Sequence, residues 1–300
     1  MKQILKYSIL SFAFLLIQSC KSIDLRTEAM ITEDVTSLEE KGKKILHHAY
    51  LKMGYDHLIN TEVYETTAFF DWKGLWLLFP MNAIPGNNKK DIQFRFATNS
   101  FDGHVEYLQG RKKGIIQGLQ SWQGYKSEIG SDIIKEHEHD RYIWGLATYH
   151  YLLESPITLK DADIVRYAGE KKFNNQDYDL VYVTWGSESP NKQYDRFLVY
   201  INKDSGFIDL MELTIGDFFL PMPKGMQHAT VQFERSKTSI GVFLPEVTII
   251  QLKHPKEKKR HVYKFTTKDY KFDSFEKSKL YPIKGLKLYG NSKKYNNDEI

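Results

Sequence analysis

The densest group of side chains with acid–base or metal-binding chemistry is the run Glu136-His137-Glu138-His139-Asp140. Its two histidines and three carboxylates are donor types that zinc accepts. On a helix, however, His137 and His139 lie about 200° apart around the axis, so both cannot face one ion without a partner element. The pattern therefore favours a solvated helix start, with metal binding by His137 and His139 as the alternative.

The rest of the sequence lacks the local motifs of common enzymes. It has no glycine-rich phosphate loop, no GxSxG turn and no HExxH zinc motif. Its only cysteine is Cys20, which excludes a disulfide and a cysteine-based metal site within one mature chain. We therefore expect no catalytic residue and no cofactor, although a site assembled from distant strands would leave no local motif.

The first 20 residues resemble a bacterial lipoprotein signal. Two lysines precede an apolar run at 7–17, which is too short to span a bilayer as a mature helix. The run ends in Leu16-Ile17-Gln18-Ser19-Cys20, with an aliphatic residue three positions before the cysteine and a small residue just before it. The resemblance implies cleavage after residue 19 and lipidation of Cys20, and Lys21 favours delivery to the outer membrane. The alternative is an ordinary cleaved signal.

The charge balance argues against a nucleic-acid partner. The chain has 42 Lys and Arg residues against 38 Asp and Glu, and two of the lysines leave with residues 1–19. The mature chain is thus close to neutral, whereas nucleic-acid-binding domains carry a strong basic excess. The partner expected instead is a membrane, contacted through the lipidated Cys20.

Hydrophobic periodicity predicts a β-rich α+β chain. Residues 20–36 are expected to form the lipidated N-terminus and tether, 37–275 a single domain, and 276–300 a C-terminal extension. Helices are predicted from Ser37 to Gly54 and from Ser131 to Leu153, with Pro156 ending the second. Strands are predicted at 62–72, 75–79, 91–98, 104–109, 114–125, 163–169, 178–185, 228–235, 242–252 and 261–272. The expected fold is a curved, unclosed, half-barrel-like antiparallel sheet with two helices on its concave side.

The clearest local signal is a hairpin at Arg196–Ile215. Its two strands flank Asn202-Lys203-Asp204-Ser205-Gly206, where Asp, Ser and Gly favour a type I turn and the glycine can take a left-handed position. Simple alternation along the return strand places Asp209 on the same face as Phe207, Met211, Leu213 and Ile215. Asp209 is then the one charge on an otherwise apolar face, and a candidate for the wall of a ligand cavity.

Two apolar runs supply further cavity candidates. The run 75–81 is apolar at every position and contains Trp76 and Leu78. The run 218–223 contains two prolines, which argue against a central strand and favour a loop at a cavity mouth formed by Phe218, Phe219 and Met222. Packing in the core is the alternative for both runs.

The element order is similar to that of the LolA/LolB-like lipoprotein-sorting group and of a set of lipoproteins related to it. The residues that carry this resemblance are Phe197-Leu198-Val199-Tyr200-Ile201-Asn202 and the following Lys203-Asp204-Ser205-Gly206-Phe207-Ile208. They match the group's strand, glycine turn and return strand, in an architecture that would extend over 37–272. The resemblance implies an unclosed barrel, capped by helices, around an apolar cavity that receives acyl chains. No acyl-contacting residue of the group can be matched to this chain.

The expected function is therefore that of a lipid-anchored envelope protein binding a lipid or the acyl part of a lipoprotein, without catalysis. Two alternatives stay open. One is an envelope protein–protein interaction module, and the other is a hydrolase or metalloenzyme built on residues 136–140.

Overall fold

The computed structural model describes residues 23–77, 82–84, 86–128, 131, 134–137, 140–216, 226–256 and 261–286. The helices are α1 (Ala29–Thr32), α2 (Val35–Lys52), α3 (Tyr55–Leu58) and α4 (Asp140–Lys160). The strands are β1 (Val63–Trp72), β2 (Asp91–Ala97), β3 (Gly103–Tyr107), β4 (Ile116–Gln120), β5 (Gln123–Ser127), β6 (Ile134–Glu136), β7 (Ile164–Phe173), β8 (Gln176–Thr184), β9 (Phe197–Asn202), β10 (Ile208–Thr214), β11 (His228–Lys237), β12 (Phe243–Leu252) and β13 (Tyr263–Phe272).

The thirteen strands of these ranges form one antiparallel sheet. Their order is β6-β5-β4-β3-β2-β1-β13-β12-β11-β10-β9-β8-β7. Pairing of β1 with β13 joins two meanders, β1–β6 and β7–β13, into a continuous surface. The sheet is curved and not closed, so β6 and β7 form its two edges. This confirms the fold class expected from the sequence.

Helix α4 connects the two edge strands across the sheet. Its 21 residues extend about 31 Å at 1.5 Å per residue. Leu146, Tyr149 and Leu153 on α4 are buried in the same core as the inner face of the sheet. Because β6 and β7 lie at opposite edges, α4 must cross the concave side between them.

The predicted limits of this second helix were wrong at both ends. Residues 134–136, which were assigned to the helix, form the edge strand β6. Pro156 lies inside α4, although proline removes a backbone hydrogen bond and disfavours a helix interior. Ser155 and Ile157 on either side of it are buried, so tertiary packing holds the helix through the proline.

Helix α2 lies beside α4 on the inner face. Its cap is Asp34, whose carboxylate accepts a hydrogen bond from the Ser37 backbone N at 2.9 Å, so the helix begins before Ser37, the predicted first residue. Gly42 faces β7 so closely that an added Cβ would lie 2.5 Å from the backbone N of Tyr167. The glycine therefore permits the helix to lie directly on the edge strand.

The segment before α2 packs on the outer face of the sheet, the face opposite α2 and α4. Leu25 and Met30, which lie in the stretch assigned to the tether, are buried there against side chains of β7–β10. The Thr27 hydroxyl donates to the Ala168 carbonyl of β7 at 2.8 Å. Between these residues and α2 the chain passes around the edge strand from the outer face to the inner face.

Part of the C-terminal extension is also packed. The 3-10 turn Lys277–Leu280 buries Leu280 completely against Val63 and Ala97. The Ile283 backbone N donates to Gln120 Oε1 at 2.9 Å. These contacts tie the extension to the sheet as far as the described residues reach.

Two strand predictions differ from the structure. The run predicted as a strand at 75–79 begins as a 3-10 turn at Gly74–Leu77, and 78–79 lie outside the described residues. The predicted strand 114–125 contains two strands, β4 and β5, joined at Ser121 and Trp122 with φ angles of 50° and 64°. Among the helices described, none is long and apolar enough to cross a membrane.

Candidate functional site

The candidate site is a cavity of about 260 Å³ between helix α4 and the sheet. One face of α4 forms its roof through Ile143, Trp144, Ala147, Thr148, Tyr151 and Leu152. Five consecutive strands, β9 to β13, form its floor through Phe197, Leu213, Ala229, Val231, Ile250 and Tyr263. The cavity exists because α4 crosses the curved sheet from edge to edge, which leaves space between the helix and the deepest strands.

Aromatic side chains from loops close the sides of the cavity. Phe101 and Trp122 lie against each other, with ring centroids 5.3 Å apart, at the β1–β6 side. Trp185 meets Phe197 edge to face at 6.0 Å on the β7–β13 side. Apolar walls of this kind bind apolar ligands, while a few polar groups fix their orientation.

Among the polar side chains that line the cavity, Tyr151 carries a hydroxyl. Its oxygen is buried, and no hydrogen-bond partner is found for it within the described residues. Burial raises the pKa of Tyr151 well above the ordinary value, and the nearby Asp195 carboxylate adds to the shift. The hydroxyl is therefore neutral at physiological pH and can both donate and accept one hydrogen bond.

Asp195 also lines the cavity, but its carboxylate is held by the protein. Asp195 Oδ1 accepts hydrogen bonds from Thr214 Oγ1 at 2.8 Å and from the Gly216 backbone N at 2.7 Å. These bonds tie the loop before β9 to the end of β10.

Most cavity residues predicted from the sequence do not line this cavity or cannot be placed. Trp76 is partly buried and packs against the main core, outside the lining. Leu78, Phe218, Phe219 and Met222 lie outside the described residues, as does Cys20. Ile215 lines the cavity, and the predicted mouth segment follows it in the chain after Gly216.

Asp209 lies on the outer face, away from the cavity. The β9–β10 register shifts between Ile208 and Leu210, so strict alternation does not hold there. The Asp209 carboxylate accepts from Asn202 Nδ2 at 2.9 Å and from Tyr178 Oη at 3.2 Å. Tyr178 belongs to the outer-face cluster that also buries Leu25.

The histidines singled out from the sequence do not form a cluster of metal ligands in the described part of the chain. His137 lies between β6 and α4, where its ring contacts Tyr142 at 5.3 Å. His139 lies outside the described residues. A group of histidine and carboxylate ligand atoms does converge elsewhere, on the outer face, at Glu212, His228 and His254.

Sequence reasoning missed both the cavity lining and this outer-face group. Glu212 and His228 lie on two strands and His254 follows a third, so none of its members forms a local motif with another. Burial by itself raises the pKa of Glu212, but hydrogen bonds from His228 and Tyr200 outweigh burial and lower it overall. The Glu212 carboxylate is thus ionised at neutral pH.

Comparisons with known proteins bear on the fold. No protein-family model matches the chain, and no curated protein does. A LolA superfamily protein from Nitrosomonas europaea is 11% identical, with 78% of this chain and 94% of that chain covered and a TM-score of 0.46. A DUF1329 family protein from Desulfovibrio piger is 9% identical, with 81% and 96% covered and a TM-score of 0.46.

The lipoprotein LppX from Mycobacterium tuberculosis is 9% identical over 76% of this chain and 94% of that chain, with a TM-score of 0.26. The LolA-like group that the sequence resembles is thus present among the solved structures similar to this chain. At these identities the likeness concerns the fold alone, and no ligand or residue role passes from those proteins to this one.

Proposed function

We propose that this chain is an envelope protein that binds the acyl part of a lipid or lipoprotein in the cavity between α4 and the sheet, without covalent chemistry. The observation that carries the proposal is the cavity itself, which is lined mainly by aromatic and aliphatic side chains. Transfer of an acyl chain from water into such a lining is favourable by about 0.8 kcal/mol per buried CH₂.

The polar groups of the cavity suit a ligand with one polar end. Tyr151 supplies a neutral hydroxyl, and Thr148 and Gln193 lie in the same lining. The Tyr151 hydroxyl is buried without a hydrogen-bond partner among the described residues, and on binding it would turn to donate to a carboxylate, ester or headgroup oxygen of the ligand. We infer that the acyl chain lies over the floor strands with its polar end near Tyr151.

Filling the cavity should abolish binding of an apolar ligand. We expect Thr148→Phe, which adds a ring to the lining face of α4, to weaken binding of a fluorescent fatty acid by at least about tenfold, because the ring takes the volume that the ligand needs. Fluorescence titration of purified protein measures the effect.

Tyr151→Phe in the same titration should weaken the binding of a fatty acid by up to about tenfold and leave the binding of an alkane unchanged, because only the polar end of the ligand loses a hydrogen bond.

Thr36→Phe is the matched control, since Thr36 is an exposed residue of α2 outside the lining. It should bind the fatty acid as the parent protein does. If the parent protein binds no fatty acid, or if Thr148→Phe and Thr36→Phe bind it equally well, the proposed ligand class is wrong. Recovery of stable protein partners with no bound lipid would then favour the interaction-module alternative.

The lipid anchor is a separate proposal that depends on the signal at Leu16–Cys20. We expect the protein from intact cells to begin at Cys20 with acyl chains attached, and Cys20→Ala to lack them. Mass spectrometry of the mature N-terminus measures both. An unacylated parent protein would support an ordinary cleaved signal, and fractionation of the membranes would test delivery to the outer membrane.

A further inference from the structure

Three side chains with metal-binding atoms meet on the outer face of the sheet, opposite the cavity. Glu212 belongs to β10, His228 begins β11, and His254 follows the end of β12. Glu212 Oε2 lies 2.9 Å from His228 Nε2 and 2.6 Å from His254 Nδ1. All three ligand atoms lie within 4.8 Å of one another.

Two of these groups are buried and hydrogen-bonded within the protein. Glu212 is only 1% exposed, and its second oxygen accepts a hydrogen bond from Tyr200 Oη. Lys171 Nζ in turn donates to Tyr200 Oη at 2.9 Å. His228 is also buried. A ligating carboxylate with its other oxygen fixed in this way is typical of metal sites.

The third group is open to solvent and can adjust. The His254 side chain is 73% exposed. It is placed over the site by Lys253, whose φ is 65° and whose backbone N donates to the His228 carbonyl at 2.8 Å. The two imidazole rings stand nearly perpendicular, with centroids 4.7 Å apart.

We propose that Glu212, His228 and His254 bind a divalent transition-metal ion, with zinc as the best fit. Two imidazole nitrogens and one carboxylate oxygen are a zinc ligand set that leaves a fourth tetrahedral position, here on the solvent side. In the metal-free chain the two ring nitrogens can donate N–H bonds to the carboxylate. When the ring proton sits on the other nitrogen, each offers a lone pair to the metal.

The distances between the three ligand atoms must increase slightly when zinc binds. Zinc at 2.0–2.2 Å from each ligand keeps tetrahedral ligand atoms about 3.3 Å apart. Both imidazole nitrogens lie closer than this to Glu212 Oε2, at 2.9 Å for His228 and 2.6 Å for His254, so both pairs must open on binding. The larger shift falls to His254, whose exposure allows it. The bound ion would join β10, β11 and the turn after β12, directly behind strands that form the cavity floor.

Zinc titration of the purified, untagged, chelator-treated protein tests the site. We expect one zinc ion per chain by calorimetry, and His254→Ala to weaken the affinity by at least about 100-fold, since loss of even an outer partner of a metal ligand costs 10–100-fold. His254 is the variant of choice because it is exposed, so its loss leaves the buried pair and the fold in place.

His48→Ala is the matched control, because His48 is an exposed histidine of α2 outside the group. It should keep the parent affinity. Cobalt in place of zinc should give the intense visible absorption of a tetrahedral centre, and His254→Ala should remove it. The absence of stoichiometric zinc in the parent protein, or equal losses in His254→Ala and His48→Ala, would overturn the proposal.

Discussion

Replacing His150 by alanine is expected to lower the free energy of unfolding by about 3–5 kcal/mol. His150 Nε2 lies 2.8 Å from Glu154 Oε1 on the buried side of α4, and the Asn99 backbone N donates to the other carboxylate oxygen at 2.9 Å. Both side chains are almost fully buried. Alanine would leave an acidic group in the core with one partner fewer, and urea denaturation measures the cost.

Two further variants distinguish the cost of removing the hydrogen-bond partner of Glu154 from the cost of removing the ring from the core. The His150 ring also stacks on Phe96, with centroids 4.2 Å apart, so His150→Phe retains an aromatic ring there. It should still destabilise the fold, whereas adding Glu154→Leu should recover part of the loss, because leucine removes the buried acid but also the acceptor of the Asn99 backbone N–H. Lys43→Ala breaks the exposed pair Lys43–Glu39, also spaced i,i+4, and should lower the free energy of unfolding far less than His150→Ala does, because solvent screens the pair. Equal effects of His150→Ala and Lys43→Ala would refute the buried-pair account.

Phe70→Ala should also cost about 3–5 kcal/mol, because it removes the centre of the aromatic core. Phe70 is 0% exposed and lies between the sheet and α4. Its ring centroid is 4.9 Å from that of Tyr149 on α4 and 5.2 Å from that of Phe265 on β13. Loss of this contact loosens α4 from the floor strands, so fatty-acid affinity should fall with stability.

Phe173→Ala serves as the comparison in the same denaturation experiment. Phe173 is a partly buried residue at the end of the edge strand β7, on the outer-face cluster. Its removal should cost about 1 kcal/mol and leave fatty-acid binding unchanged, because it belongs to the outer-face cluster and does not line the cavity. A similar cost for the two variants would show that the α4–sheet contact is not the main packing site.

Strand positions followed well from the sequence where a two-residue period was clear. The hairpin at 196–215 is present as β9 and β10, and Gly206 takes the left-handed φ of 75° that its turn requires. The division of 114–125 into β4 and β5 was missed because Ser121 and Trp122 are not typical residues for a turn with two positive φ angles. Local propensity identifies turns only where the residues favour them.

Strand register decides on which side of the sheet a residue lies. The sequence does not determine that register at a bulge. Alternation placed Asp209 on the cavity face, whereas the shift between Ile208 and Leu210 puts it with Asn202 and Tyr178 on the outer face. One extra residue in a strand is enough to reverse a side chain, because the period of a strand is two.

The sequence by itself determined the two long helices and most of the two-faced strands, because these depend on periodicities within a few residues. Only the tertiary structure decided that β1 pairs with β13, that α4 therefore spans the open side, and that a cavity lies beneath it. It likewise brought Glu212 to His228 and to His254, which are 16 and 42 residues away in the chain. Contacts at such separations arise because successive strands pair side by side across the sheet, which no local pattern of residues encodes.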